Sequence, residues 1–211
     1  MTSEVTNRAL ILVDIQNDFM PGGALAVANG NEVVPVANGL APAFETIVAT
    51  QDWHPADHGS FASQHAGKSP GELIDLHGLT QVLWPDHCVQ DTAGARFVDG
   101  LEASITKVFP KGMDKTVDSY SGFFDNGHRH DTGLTEWLRE RGVREVYVLG
   151  VATDYCVKFT ALDAAAEGFT VHLVEDGCRG VELNEGDVAK AKDEMHAAGV
   201  HIVQSSEVTA G

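Results

Sequence analysis

Positive charge is scarce in this chain. Its 211 residues carry 14 Lys and Arg against 31 Asp and Glu, a formal net charge of −17 at pH 7. Phosphate backbones and anionic membrane surfaces are bound by basic faces, so neither nucleic acid nor a membrane is expected as a partner. Cysteine is scarce too. Cys88, Cys156 and Cys178 are odd in number and widely spaced, which argues against a disulfide framework and for a reducing, cytoplasmic setting. No apolar run approaches the ~18 residues of a membrane span. Met1 to Arg8 is polar and lacks the layout of a secretory signal. Internal repeats, low-complexity tracts and linkers are absent as well, so residues 1–211 are expected to form a single domain. With 43% hydrophobic and 21% charged residues, the chain has ordinary globular composition and enough length to bury a core.

What is present alternates between short β-rich runs and longer helical stretches. Strands are expected at Ala9–Val13, Thr46–Thr50, Ser104–Phe109, Glu145–Leu149, Phe169–Val174 and Val200–Val203. Pro110 and Gly112 are expected to stop the third. Helical faces are expected over Asn31–Phe44, Asp131–Arg141, Tyr155–Glu167 and Asn184–Ala198, several closed by glycine. The pattern predicts an α/β fold: a mostly parallel sheet with helices on both faces. The long segment Gln51–Glu102 has little periodicity. It holds His54, His58, His65, His77 and His87, five of the ten histidines. A loop of that length in a small domain is usually functional.

Ligands of an open parallel sheet bind beyond the carboxyl ends of its strands. Asp14, Asp52, Lys111, Cys156 and Asp176 follow five successive strands and are therefore expected on one edge. Cys156 falls in the first turn of a predicted helix, with Thr153 or Asp154 as N-cap. There the positive helix end would favour a thiolate nucleophile; a small packed residue on an Ala-rich helix is the competing reading. Lys111 could hold that thiolate, and Asp14 could carry its proton to an amine leaving group. Cys88 and Cys178 read as packing residues. Asp52 and His54, two apart on extended chain, can face one ion, and His87 in WPDHC could complete an open site. This donor set suits zinc, iron or manganese alike. His58, Ser60 and Ser63 are near enough to add a ligand. His65 and His77 read as surface residues, and His128 and His130 as part of a solvated loop.

The stretches LILVDIQNDFMPGGALAV, ATQDWHPADHGSFAS, LWPDHCVQDT, KGMDKTVDSYSGFFDN and VLGVATDYCVKFTALDA occur in that order. Together they resemble the nicotinamidase/pyrazinamidase branch of the isochorismatase-like cysteine hydrolases, over about Ala9 to Val203. The resemblance implies a three-layer sandwich and hydrolysis of nicotinamide to nicotinate and ammonia through a cysteine thioester, with pyrazinamide as a further substrate. It implies a catalytic triad of Asp14, Lys111 and Cys156, and a divalent metal, zinc or iron with manganese as a third choice, on Asp52, His54 and His87. It also implies a cis peptide at Val151–Ala152, an oxyanion hole from the N–H groups of Ala152 and Cys156, and a ring pocket lined by Phe19, Trp84 and Tyr120. A small-molecule substrate is the implied partner, and a homo-oligomer is compatible with it. Relatives that cleave isochorismate or carbamoyl compounds share the Asp and Lys motifs but generally lack the D-x-H pair joined to WPxHC. VQDT stands where VQGT is more usual, which places Asp91 at a glycine position.

Overall fold

The computed structural model describes residues 7–208. In chain order its main elements are β1 (Arg8–Val13), α1 (Val33–Leu40), β2 (Thr46–Asp52), β3 (Leu73–Leu76), β4 (Leu79–Val82) and β5 (Lys107–Lys111). They continue with α2 (Leu134–Glu140), β6 (Glu145–Val151), α3 (Lys158–Ala166), β7 (Thr170–Arg179), α4 (Asp187–Ala197) and β8 (His201–Val203). All six residues of β1 are buried. A strand buried on both faces needs neighbours on both edges and a layer on each side. β1 pairs in parallel with β2 on one edge and β6 on the other.

The whole sheet runs β5-β2-β1-β6-β7-β8, and each of its strand pairs is parallel. The chain first works outward through β2 and β5, then returns to β6 beside β1 and works the other way. With right-handed crossovers that reversal sends helices to opposite faces and opens a crevice at the β1/β6 carboxyl ends. α1 packs on β6 and β7, and α3 packs on the same strands and on α4. The core joins Leu10, Ile11 and Leu12 of β1 to Val148 and Leu149 of β6, Leu173 of β7 and Leu138 of α2. Among the described residues no helix is long and apolar enough to cross a membrane.

Three sequence expectations change. β5 does not stop at Pro110. It runs from Lys107 through Pro110 to Lys111. It is the edge strand, where a residue without an N–H is tolerated. The segment Gln51–Glu102 contains an antiparallel hairpin, β3–β4, turned by His77 and Gly78 at φ 52° and 90°. β7 extends five residues beyond the expected end at Val174, to Arg179, because the register against β6 slips between Val148 and Gly150. Gly150 permits that slip. Its φ is 131°, and a Cβ there would meet the Val13 carbonyl oxygen at 2.1 Å.

Candidate active site

β1 ends at Val13, and Asp14 turns out of the strand with φ 50°. Its carboxylate lies under the crevice, fully buried. Thr50 of β2 donates to Asp14 Oδ1 at 2.6 Å, and its hydroxyl oxygen accepts the Asp14 N–H at 3.2 Å. Asp14 Oδ2 pairs with the Lys111 ammonium, 2.9 Å away. Lys111, brought alongside by β5, donates to Asp52 Oδ1 at 2.5 Å, to the Ser119 carbonyl at 2.9 Å and to Cys156 Sγ at 3.4 Å. Acceptor atoms of Asp14, Asp52 and Cys156 lie within 4.8 Å of one another. One ammonium thus joins the two clusters read separately from the sequence.

Burial sets the electrostatics. It raises the Asp14 carboxyl above its ordinary range against the pull of Lys111. The Cys156 thiol is raised well above its usual value, also by burial, with Asp14 and Asp52 adding to the effect and Lys111 opposing it. Lys111 itself is held firmly protonated: burial opposes the charge, but Asp14 and Asp52 outweigh it. The expected helix cap is amended. Thr153–Val157 is a π-helical turn before α3, its N-cap is Ala152, and no side chain caps it. Asp154 faces elsewhere; its oxygens accept the N–H groups of Val181 at 2.9 Å and Glu182 at 2.7 Å.

The second cluster is aimed at a cation. His54 Nδ1 donates to the Gly112 carbonyl at 2.8 Å, and His87 Nδ1 to the Pro85 carbonyl at 2.8 Å. In the neutral ring each imidazole thereby turns a bare Nε2 toward Asp52 Oδ2, 3.7 Å and 3.8 Å away. Ring nitrogens oriented through backbone carbonyls in this way are what metal-binding histidines require. Asp52, His54 and His87 are all buried and supply one carboxylate and two imidazoles within 4.8 Å. A divalent ion fits this set and would offset the surplus negative charge, since Lys111 alone faces both Asp14 and Asp52. Gly112 makes room for His54: at φ 66°, a Cβ would lie 2.3 Å from the ring.

The cleft above these groups holds about 350 Å³ of empty space, part of it open to solvent. Phe19, Trp84, Tyr120, Ala152 and Cys156 line it with Asp52, His54 and His87, while Asp14 and Lys111 sit behind Cys156. The Val151–Ala152 peptide is cis. Other expectations fail or need amendment. Asp176 does not join the edge cluster; its carboxylate accepts the Ser205 N–H at 2.8 Å and the Ser205 hydroxyl at 2.5 Å. Ser63 lies apart, donating to Asp86 at 2.6 Å, and Ser60 contacts His58 rather than the ion site. His58 is buried beside His54, ring centroids 4.4 Å apart. His65 is half-buried, its Nε2 2.8 Å from the Gly59 carbonyl, rather than a surface residue. Cys88 and Cys178 are buried free thiols. Asp91 keeps φ at 64°, a left-handed conformation that glycine adopts freely and Asp tolerates, with its side chain exposed.

Sequence reading missed Thr50, Gln16, Asp118 and Tyr155. Gln16 is fully buried and grips the Asp52 backbone from both sides: its Nε2 donates to the Asp52 carbonyl at 2.8 Å, and its Oε1 accepts the Asp52 N–H at 2.8 Å. Asp118 and Tyr155 line the cleft. A polar residue two positions past a catalytic candidate, as Gln16 is past Asp14, was the available signal.

Comparison with known proteins gives a consistent picture. The isochorismatase domain model matches residues 8–207. The nicotinamidase of Escherichia coli is 54% identical over 197 residues, covering 91% of this chain and 92% of that protein. A solved nicotinamidase/pyrazinamidase of Acinetobacter baumanii superposes with a TM-score of 0.94 at 47% identity, over 96% of this chain and 98% of that one. The pyrazinamidase of Pyrococcus horikoshii, solved in complex with zinc, gives a TM-score of 0.76 at 40% identity, over 94% and 99% of the two chains.

Proposed function

Because the chain belongs to the isochorismatase family, we propose that it works as a metal-dependent nicotinamidase, hydrolysing nicotinamide to nicotinate and ammonia and acting also on pyrazinamide. The observation that carries the reading is the convergence of Asp14, Lys111 and Cys156 beneath a cleft whose walls include Phe19, Trp84, Tyr120 and Tyr155. The catalytic groups come from residues 14 to 156, across most of the sheet, so the chain acts as one catalytic unit.

Cys156 Sγ attacks the carboxamide carbon as its proton passes to Asp14 Oδ2. This transfer moves one negative charge over a few ångströms beside a fixed ammonium, so no new net charge is buried. That is why a thiol and a carboxyl both raised by burial remain matched. The N–H groups of Ala152 and Cys156 receive the developing oxyanion; one such donor typically contributes about 3 kcal/mol to the barrier. Asp14 then gives the proton to the departing nitrogen, the C–N bond breaks, and ammonia leaves a thioester. Water, losing a proton to Asp14, attacks the thioester carbon. The C–S bond breaks, and the proton returns to sulfur as nicotinate leaves. Lys111 stays protonated throughout and holds Asp14 and Asp52 in place. Phe19, Trp84 and Tyr120 hold the ring.

Asp52, His54 and His87 would hold the divalent ion, zinc or iron with manganese as the third choice, and when bound it would supply Lewis acidity toward a ring nitrogen or a water. A reducing cytoplasm belongs to the same reading, since the nucleophile must remain a free thiol. The decisive assay is ammonia release from nicotinamide by purified protein, before and after chelation and with Cys156→Ala. Activity is expected to fall on chelation and return with added metal. It should drop by roughly 10⁴-fold or more in the variant. Ammonia release that survives the substitution would remove Cys156 as nucleophile; indifference to chelation would remove the metal.

A further inference from the structure

Asp18 lies in the loop after β1 and takes no part in the chemistry above, yet three stretches that build the site meet on it. Its side chain is half-buried. Oδ2 accepts the Cys88 N–H at 2.7 Å, and Oδ1 accepts the Ala24 N–H at 3.3 Å. Its backbone N–H donates to the Gly94 carbonyl at 3.0 Å, and its own carbonyl accepts the Leu25 N–H at 3.0 Å. Phe19, the next residue, lines the cleft with Leu25, and the Phe19 ring meets His87 edge-on at 5.6 Å.

Cys88 follows His87 directly. Its φ is 45°, a left-handed conformation that a residue with a Cβ keeps only where its surroundings hold it. Two bonds do so. Its N–H goes to the Asp18 carboxylate, and its carbonyl accepts the His54 N–H at 3.0 Å. The His54 carbonyl in turn accepts the Gln90 N–H at 2.8 Å. The backbone behind His87 is thus tied to Asp18 on one side and to His54 on the other. An ionised acceptor makes the first tie stronger than a neutral one would. Space is kept for it as well: a Cβ on Gly94 would lie 2.0 Å from Asp18 Oδ2 and 2.3 Å from Oδ1. The glycine leaves room for the carboxylate, and the Asp18 N–H holds the glycine in place.

We propose that Asp18 is a positioning residue of the divalent-ion site. By holding the Cys88 N–H it fixes the turn that points His87 at Asp52 Oδ2 beside His54. The inference rests on the metal-bearing reading above and adds to it a residue that touches neither ion nor substrate.

The test is zinc affinity, measured by competition with a chromogenic chelator, with urea unfolding followed on the same samples. Asp18→Ala should weaken zinc binding by roughly 10–100-fold. Asp18→Asn keeps an oxygen that can accept the Cys88 N–H, so its affinity should lie closer to wild type than to Asp18→Ala. Gly94→Ala pushes a methyl group into the carboxylate and should weaken zinc binding while residue 18 is intact. Added to Asp18→Ala, which removes the clash, it should cost little more. Leu138→Ala, a core variant outside the site, should lower the urea midpoint and keep zinc affinity. The proposal is overturned if Asp18→Ala binds zinc as wild type does, or if Asp18→Asn is as weak as Asp18→Ala. It is overturned too if Leu138→Ala loses as much affinity as Asp18→Ala, since general loosening would then explain the loss. Wild type that binds no zinc, iron or manganese would remove the metal-bearing reading itself, and the role of Asp18 with it.

Discussion

Two groups of titratable side chains sit on one sheet and behave differently. At the carboxyl ends of β1, β2 and β5, Asp14, Asp52 and Lys111 converge with Cys156 inside a sphere of a few ångströms. Across the middle of β6, β7 and β8, Tyr147, His172 and His201 form a ladder, with ring centroids 4.5 Å and 5.1 Å apart. The ladder residues are register partners on neighbouring strands. Side chains in register stand side by side at the strand spacing, so their rings stack; Tyr147 and His172 also meet on Glu145 Oε1, at 2.9 Å and 2.7 Å, near the surface. At strand ends the backbone is released from the pleat, as the φ of 50° at Asp14 shows, and polar tips can point at one place. Convergence in full burial, more than the presence of ionisable residues, separates a reaction centre from a structural stack: Lys111 and Asp14 are fully buried, whereas Glu145 is 30% exposed.

The strongest way to break this comparison is at Lys111. Lys111→Met leaves Asp14 and Asp52 buried without their shared cation, a change expected to cost about 3–5 kcal/mol. Urea unfolding should show that loss, and turnover should fall by roughly 10²-fold or more. A variant as stable as wild type would mean that the edge cluster is not held by its charges. Gln16→Ala sharpens the picture with a smaller effect. It removes both bonds to the Asp52 backbone and leaves a buried N–H unsatisfied, at about 1–3 kcal/mol. Metal affinity, measured by competition with a chelator, should weaken by roughly 10–100-fold. Unchanged affinity would show that Asp52 is positioned without Gln16.

The smallest effect is expected in the ladder. Burial pushes the His172 imidazole below its ordinary value of 6.5, and His201 adds to this, while Glu145 opposes them. Between that value and the lower native one, the unfolded chain binds a proton that the native state resists. Stability therefore rises with pH across the window and is lost as pH falls through it. His172→Phe keeps the stack and removes the titration. Its urea midpoint should decline less than that of wild type on acidification from about pH 7 to pH 5. An identical decline in both proteins would remove His172 from the acid response.

The strands and most helices were legible because burial on two faces writes continuous apolar runs, as in Ala9–Val13, and helical burial writes a 3.6-residue period. The hairpin β3–β4 was not legible: it lies over the site rather than in the core, and of its eight residues only Leu76 and Gln81 are buried. The end of β5 was misjudged because Pro110 is a stop signal only where a second neighbour needs its N–H. Within the site, the identities of Asp14, Lys111, Cys156, Asp52, His54 and His87 were readable from strand ends and motif order. Their mutual partners were not. Asp52 read as a metal ligand alone, and its bond to Lys111 crosses 59 residues of sequence.

Residue order by itself determined the parallel α/β architecture and which chemical groups stand at the strand ends, since both follow from local periodicity and from the rule that strand ends gather at one edge. Tertiary structure alone decided the environment of those groups and the lining of the cleft. Burial raises the Asp14 carboxyl and the Cys156 thiol together, and Lys111 binds both clusters into one. The aromatic wall from Trp84 to Phe159 is assembled from three separate segments. Desolvation and contact depend on distances through space, and a sequence carries those only after it has folded.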